Sequence, residues 1–457
     1  MRPINFSLCC VRNPNEDLHN LTCGTAHASN VEQTPALRVL APHIYEERTA
    51  AAWTSSEENE WCPAIRSQPQ MSAISYLSAR RSLLRGLLAS LLLPIRSYAR
   101  TRCPIFGAIR WDAQYCDTSG EPCFEEEKAL SPQRWHFRAP LHSRLTDSET
   151  LQFHATEASF DQEIQVAHAA GLGYWAYLAY GSDGKLDLAH SMMQGLTYHR
   201  RSGIADQMNY CLIATLDTLG RANRFDEATK RIHGLFSDHN YQRTQDGRPL
   251  LFLYYLDALL PPYWNGSLAE LGKSLSHLRN QATSSGGRPP YIVLLHTPPA
   301  TAETIRKQIG ADAVSAYGIN FGPNRSGTYL ELQRHVEQYW EDELAHTSGS
   351  VVPTVMVGWD SRPRKETPPA NDKRDYTRID KSAHVATATP SEFSFACRQA
   401  SRFMSNHPDR CPYQIALIYS WNEYSEGGAL APTLGDPSAS MLRTASEVLK
   451  ACRAGGD

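Results

Sequence analysis

The sequence predicts an α/β fold, a single closed barrel of eight parallel β-strands that alternate with α-helices. Short apolar runs of strand length recur throughout residues 100–457, amphipathic helical stretches separate them, and eight such runs can be counted. An open sheet that binds a dinucleotide would show a glycine-rich turn after its first strand, and Ile109-Arg-Trp-Asp112 contains no glycine. Residues 100–457 are therefore interpreted as one (β/α)8 domain without a repeat or a linker.

The predicted strands are apolar runs bounded by polar or turn-forming residues. They are Ile105–Ile109, Leu172–Tyr177, Asn209–Ala214, Leu250–Tyr255, Tyr291–Leu295, Ala313–Tyr317, Val352–Val357 and Gln414–Tyr419. Helical periodicity is clearest in Phe160–Ala170, Asp226–Phe236, Leu268–Gln281, Tyr329–Leu344, Pro390–Met404 and Ala439–Cys452. The connections after the first and seventh strands are long, and in barrels such loops build the site at the C-terminal face.

An export signal is predicted well inside the chain, over residues 71–99. A basic segment begins at Met71, an apolar run follows it, and a small-residue cleavage site ends at Ala99. The pair Arg80-Arg81 and its neighbours resemble a twin-arginine export motif, and the apolar run is too short to form a lasting membrane anchor. We therefore expect a bacterial protein of the periplasm or the medium. An amphipathic helix or an uncleaved tether is the alternative.

Residues 1–70 precede this signal and show no useful helical or strand periodicity. We interpret them as a disordered extension, or as the product of a start codon assigned too early, because an export signal acts at an N-terminus. In an oxidising compartment disulfides are allowed, and Cys116 and Cys123 flank a short turn-rich loop. They are the best candidates for a disulfide.

The composition and the residue spacings exclude two classes of function. A formal net charge of -3 offers no basic stripe for nucleic-acid phosphates. After residue 100 no Cys-x-x-Cys or His-x-x-x-His spacing occurs, so neither a metal nor another cofactor is expected.

Aromatic and polar side chains follow most of the predicted strands directly. In a barrel, the C-terminal strand ends converge on one mouth, however far apart they lie in the sequence. Flat rings there could pack against the C–H faces of sugars, while carboxylates and amides bind hydroxyl groups. The expected substrate-binding residues are Trp111, Asp112, Trp175, Tyr177, Tyr180, Asp257, His296, Tyr317, Trp359, Asp360, Arg362, Trp421 and Asn422. Some have plainer interpretations: Trp175 as core packing, Asp112 as a loop cap and Arg362 as the ion-pair partner of Asp360.

Two glutamates, Glu423 and Glu426, follow the eighth strand in the run Trp421-Asn-Glu-Tyr-Ser-Glu-Gly-Gly428. A helical turn would place both side chains on one face, where they would address one ligand. Cleavage of a glycosidic bond needs one carboxyl to protonate the departing oxygen and a second group to meet the positive charge at the anomeric carbon. Mutual repulsion in a poorly hydrated site would raise the pKa of one carboxyl. These are the expected catalytic residues; a solvated acidic loop is the alternative.

The same run resembles the Trp/Phe-Asn-Glu-Trp-x-Glu-Gly motif of family 99 glycoside hydrolases and of the related WbsX-like domains of polysaccharide gene clusters. Val357-Gly-Trp-Asp-Ser-Arg-Pro-Arg364 is similar to their Gly-Trp-Asp-Asn-Thr-Pro-Arg motif. Gly107–Asp112 and Ala170–Trp175 are similar to the first two strands of the group. The resemblance covers residues 104 to about 446, nearly all of the expected mature chain.

The resemblance implies a TIM barrel that acts on glycans, and family 99 itself cleaves α-mannans internally with retention of configuration. Carried over, Glu423 would deprotonate the sugar 2-hydroxyl, which attacks the anomeric carbon, while Glu426 would act as general acid and then as base. The chain departs from the group in three places. Leu430-Ala431-Pro432 lacks a carboxylate that the group has, Tyr424 replaces Trp, and Ser361-Arg362 replaces Asn-Thr.

The function expected from the sequence is hydrolysis of a polysaccharide or oligosaccharide by an exported monomer, without nucleic acid or a stable membrane anchor. A transferase or lyase that uses the same carboxylates on an envelope glycan is one alternative. A carbohydrate-binding barrel without catalysis is another, since stacking residues suffice for binding; it would have no need of two coupled carboxyls.

Overall fold

Residues 103–115, 123–368 and 377–450 are described by the computed structural model. Eight strands of these residues form one parallel sheet that closes on itself. They are β1 (Ile105–Arg110), β2 (Tyr174–Leu178), β3 (Asn209–Thr215), β4 (Leu250–Tyr254), β5 (Tyr291–Leu295), β6 (Ala313–Ser315), β7 in two segments (Ser350–Val351 and Thr354–Met356) and β8 (Ile415–Tyr419). Each strand pairs with its successor in parallel, and β8 pairs with β1 from Ile105↔Ile415 to Ala108↔Ile418.

The strand β7 is interrupted at Val352-Pro353, and this break does not open the barrel. The segment Ser350–Val351 pairs with β6, whereas Thr354–Met356 pairs with β8. Across the break, the Val352 amide donates to the Val314 carbonyl at 3.0 Å, and the Pro353 carbonyl accepts from the Leu417 amide at 3.0 Å. Proline lacks an N–H and cannot continue the ladder on both sides, so it divides the strand without separating its neighbours.

Helices cover the outside of the barrel and carry their apolar faces inward. They are α1 (Cys123–Leu130), α2 (Glu157–Ala170), α3 (Gln194–Arg201), α4 (Asp226–Leu235), α5 (Leu260–Trp264), α6 (Leu268–Ser284), α7 (Pro299–Ile309), α8 (Tyr329–His346), α9 (Arg362–Glu366), α10 (Pro390–Asn406) and α11 (Ser440–Lys450). Capping boxes start three of them, at Thr156, Thr328 and Thr389, where each side chain accepts from the third backbone amide of the helix. Within the described ranges, no helix is both long and apolar enough to cross a membrane.

The predicted barrel is confirmed, with eight strands in the predicted places. The strand bounds differ by a few residues, most at β6, which ends at Ser315 rather than at Tyr317, and at the division of β7. The loop after β1 contains structure that the sequence did not indicate, namely α1 and a hairpin of Ser143–Leu145 with Leu151–Phe153. The predicted signal over 71–99 and the extension over 1–70 lie outside the described residues and stay predictions.

The predicted disulfide is tested only at one of its two cysteines. Cys123 is disulfide-bonded, in agreement with the prediction, but Cys116 lies outside the described residues, so the pairing itself stays a prediction. Cys211, Cys397 and Cys411 are buried free thiols.

The end of β1 buries an arginine between the barrel wall and α2. Arg110 is fully buried, and its guanidinium forms ion pairs with Asp112 at 2.7 Å and with Glu163 of α2 at 2.6 Å. Its carbon Cζ also lies 4.6 Å from the ring centroids of both Phe160 and Trp175. One buried cation thereby holds two carboxylates in the layer between the barrel wall and α2.

We expect Arg110→Ala to destabilise the protein strongly, because it leaves Asp112 and Glu163 without their shared cation in a dry interior. The predicted loss in the free energy of unfolding, measured by urea denaturation, is about 3–5 kcal/mol. The control is Arg134→Ala, whose side chain is 61% exposed in its ion pair with Glu366. That change should cost less than about 1 kcal/mol, and equal losses in the two variants would contradict the account.

Candidate active site

The loop after β8 places the two predicted glutamates on a tight turn at the C-terminal face. Asn422–Glu423 pairs with Gly428–Ala429 in a short antiparallel hairpin, and one 3₁₀ turn, Tyr424–Glu426, connects the two strands. Gly427 closes the turn with a φ of +69°, a left-handed conformation that side chains other than glycine rarely adopt. The helical turn expected from the sequence is therefore present, and Glu423 and Glu426 are 5% and 3% exposed.

One guanidinium holds both glutamates. Arg364 of α9 is 3% exposed; its Nη1 donates to Glu426 Oε1, and its Nη2 lies 3.3 Å from Glu423 Oε2. A third carboxylate, Glu126 of α1, accepts from the same Nη2 at 2.5 Å. Arg364 Cζ lies 4.8 Å from the ring centroid of Trp111, so an aromatic face shields the cation from one side. We call Arg364, Glu126, Glu423 and Glu426 the carboxylate cluster.

Two tyrosine hydroxyls donate hydrogen bonds to the two glutamates. Tyr419, the last residue of β8, donates to Glu426 Oε2, and Tyr317 donates to Glu423 Oε1 at 3.2 Å. Tyr317 in turn stacks on Tyr254, with ring centroids 4.6 Å apart and planes inclined by 13°. Tyr254 and Tyr317 are only partly buried, so this stacked pair presents an aromatic surface beside Glu423.

Burial and charge favour the protonated form of Glu423. Burial is the largest effect and raises the pKa of the Glu423 carboxyl well above its ordinary value, and the charge of Glu426 raises it further. The positive charge of Arg364 opposes both effects without cancelling them. One cation therefore faces three carboxyls, and the cluster retains a proton at a pH where exposed carboxyls have lost theirs.

Two further predicted residues contact the carboxylate cluster from the side. Trp111, whose ring faces Arg364, donates from its indole nitrogen to the Tyr180 hydroxyl at 2.6 Å. Tyr180 stacks on His190, with ring centroids 5.2 Å apart. Trp111 and Tyr180 are thus fixed to one another next to the two glutamates, as the convergence of strand ends led us to expect.

Five other predicted residues lie in the closed interior, at most 2% exposed: Asp112, Trp175, Tyr177, Trp421 and Asn422. Trp421 donates to Glu163 at 2.8 Å, and Asn422 accepts from the Trp111 amide at 2.8 Å. Tyr177 contacts His199 at 3.0 Å through its hydroxyl. The structure brings these residues together beneath the mouth, where they position the loops after β1 and β8.

The remaining predicted residues lie at two places on the rim. Trp359 packs on Tyr419 with ring centroids 5.3 Å apart, and Asp360 forms the predicted ion pair with Arg362 at 2.7 Å. On the opposite side His296 is half-buried and meets Tyr255 edge to face at 5.2 Å. Asp257 is exposed, and the structure shows no contact between it and the carboxylate cluster.

Sequence reasoning missed Arg364 and Tyr419, which contact the glutamates, and Glu126, which shares Arg364 with them. Arg364 belongs to a recognised motif, but spacing alone did not show that it, rather than Arg362, turns inward. Tyr419 was assigned to the strand interior, and Glu126 follows a stretch without any periodicity. A signal was available for one more residue: Asp217 comes two residues after β3, is 6% exposed, and burial raises its pKa.

Comparison with known proteins gives a likeness in structure alone. No protein-family profile matches the chain, and no curated protein sequence does. A solved structure described as a glycoside hydrolase-like protein superimposes with a TM-score of 0.51 and 15% identity, over 76% of this chain and 94% of that one. A GH99 endo-alpha-mannosidase from Bacteroides thetaiotaomicron superimposes with a TM-score of 0.45 and 15% identity, over 77% and 99% of the two chains. The first of these likenesses establishes the fold, an α/β barrel shared with a glycoside hydrolase-like protein.

Proposed function

We propose that the protein is a glycoside hydrolase that cleaves a polysaccharide or oligosaccharide, with Glu423 and Glu426 as its catalytic carboxyls. The observation that carries the proposal is the carboxylate cluster at the C-terminal mouth of the barrel, where Arg364 holds both glutamates. Stabilising the fold does not require three carboxyls around one arginine, because an apolar replacement of similar volume serves stability as well or better. Such a cluster at the mouth of a barrel is typical of a catalytic site.

The geometry supports a division of labour between the two carboxyls. Glu426 is held by Tyr419 and by Arg364, and it would donate a proton to the departing oxygen and later recover one from water. Glu423 is held by Tyr317 and Arg364, and would act at the sugar 2-hydroxyl or at the anomeric carbon. Burial favours the proton on Glu423, so a bound sugar would have to draw that proton to Glu426, after which the ionised Glu423 would accept one from the 2-hydroxyl.

Aromatic side chains next to the pair would bind the sugar ring. The stacked rings of Tyr254 and Tyr317 lie beside Glu423, and the linked side chains of Trp111 and Tyr180 lie on the other side of Arg364. Their faces offer apolar contact to C–H groups, and their hydroxyls offer hydrogen bonds, a combination that small-molecule sites use for orientation.

We expect Glu423→Gln and Glu426→Gln each to lower kcat by about 10²–10⁴-fold, because each removes a proton donor or acceptor while preserving shape. The assay is release of reducing ends from a panel of polysaccharides that includes α-mannans. An aryl glycoside with an easily displaced phenolate should partly restore the bond-cleaving step in Glu426→Gln, because this leaving group needs no proton, but not in Glu423→Gln.

The matched control is Glu343→Gln on α8, since Glu343 is 1% exposed and burial already raises its pKa. Its exchange for an uncharged amide should leave kcat unchanged. Full activity in both mouth variants would contradict the proposal, and wild-type binding to glycans without any turnover would favour the carbohydrate-binding alternative.

The raised pKa of Glu423 also predicts how the stability of the protein depends on pH. A folded-state pKa above the unfolded value contributes stability at low pH, and that contribution is lost as the pH rises through the folded pKa. Glu423→Gln removes this loss, so the variant should gain stability relative to the wild type as the pH rises above about 5, where an unfolded-state glutamate is already ionised. Denaturant unfolding at several pH values measures it; a difference that stays constant with pH would contradict the shift.

A further inference from the structure

Three guanidiniums surround one indole on the rim of the mouth. The Cζ atoms of Arg138, Arg362 and Arg134 lie 4.8, 5.2 and 5.8 Å from the ring centroid of Trp135. Two carboxylates, Asp360 and Glu366, accompany them, so the group carries three positive and two negative charges. We call these residues, with Trp135, the rim cluster: Arg134, Trp135, Arg138, Asp360, Arg362 and Glu366.

Arg134 pairs with Glu366, so the excess positive charge is shared by Arg138 and Arg362. Asp360 is shared, because its Oδ2 accepts from Arg138 and also from Arg362 Nη2 at 2.7 Å, while its Oδ1 accepts from Arg362 Nε at 2.8 Å. One carboxylate therefore faces two guanidiniums. The Arg138 side chain is 10% exposed and that of Arg362 is 31% exposed. Within the described part of the chain, the Arg362 side chain donates only to Asp360, which leaves its outer edge open to a ligand.

The rim cluster is joined directly to the catalytic loop. The Asp360 amide donates to the Glu426 carbonyl at 2.7 Å, and a Cβ added at Gly427 would approach Arg138 Nη1 to 3.4 Å. Arg362 and Arg364 are two residues apart on α9, so their side chains leave the helix on different sides. Arg364 turns inward to the glutamates, and Arg362 turns outward to Asp360 and the Trp135 ring.

An exposed aromatic ring stands beside these cations. Phe137 is 52% exposed, and its ring centroid lies 5.5 Å from Arg138 Cζ. A ring next to a cation suits a ligand with both a C–H face and a negative charge.

From this arrangement we propose that Arg362, with Arg138 and Phe137, forms a subsite for a negatively charged sugar unit next to the scissile bond. The group recognised would be a carboxylate, or a sulfate or phosphate ester, because the planar guanidinium fork matches the oxygens of each. The proposal rests on the proposed glycosidase function and narrows its substrate to an anionic polysaccharide. It also gives a reason for Arg362, which stands where the resembling motif has Thr.

The test compares charged polysaccharides with their neutral counterparts, a uronic-acid polymer against its carboxyl-reduced form and a sulfated or phosphorylated polymer against its de-esterified form. The wild type should show a higher kcat/KM on one charged member of these pairs, and which pair responds identifies the anion. Arg362→Gln should lower the ratio of charged to neutral kcat/KM by about ten- to a hundredfold, the effect of one charge-assisted hydrogen bond. The control Arg201→Gln, at a 60% exposed arginine on α3, should keep the wild-type ratio.

Equal rates on charged and neutral forms, or a ratio that Arg362→Gln leaves unchanged, would overturn the subsite while leaving the glycosidase proposal intact. Absence of hydrolysis on every polymer would count against the glycosidase proposal, and affinity electrophoresis on the same polymer pairs would then decide the subsite. Retardation of the wild type by a charged polymer, lost in Arg362→Gln but kept in Arg201→Gln, would support it. Equal migration of all three proteins would overturn it.

Discussion

The site depends on one buried cation, Arg364. Three carboxyls within the dry mouth of a barrel repel one another, and each loses its hydration there, so they would not be stable together without a positive charge among them. Arg364 provides it and also connects separate parts of the chain, since Glu126 follows β1, Arg364 follows β7, and Glu423 and Glu426 follow β8. The same ion pairs therefore hold three loops together and set the protonation of the glutamates.

A second buried arginine, Arg110, supports the carboxylate cluster. Arg110 pairs with Asp112 and Glu163 between the barrel wall and α2 and is enclosed by aromatic rings, much as Arg364 is covered by Trp111. Trp421 and Asn422 connect the surroundings of Arg110 with the carboxylate cluster. Trp421 bonds to Glu163, Asn422 bonds to the Trp111 amide, and both residues immediately precede Glu423. These buried polar contacts fix the position of the short turn that carries Glu423 and Glu426, as precise positioning of the proposed reacting groups would require.

Much of this architecture could be predicted, because apolar runs of strand length and helical periodicity report directly on burial in a barrel. The same signal could not show that Pro353 would divide β7, because the division depends on how the two segments of β7 pair with β6 and with β8. It placed Glu423 and Glu426 on a helical turn, since their spacing and Gly427 encode that turn locally. It could not assign Arg364 or Glu126 to them, because contacts between loops 59 to 238 residues apart leave no periodic trace. The sequence does not distinguish a tryptophan that lines a cavity from one that packs in the core. The structure places Trp175 and Trp421 in the core, both at 0% exposure.

The most direct measurement is a crystal structure of the Glu426→Gln variant with a bound oligosaccharide substrate. The account predicts that a glycosidic oxygen lies within hydrogen-bonding distance, about 2.6–3.2 Å, of the substituted side chain, with the adjoining sugar ring against Tyr317 and its 2-hydroxyl or anomeric carbon facing Glu423. A saccharide bound elsewhere on the barrel, or one whose glycosidic oxygens all lie beyond the reach of Glu423 and residue 426, would contradict it.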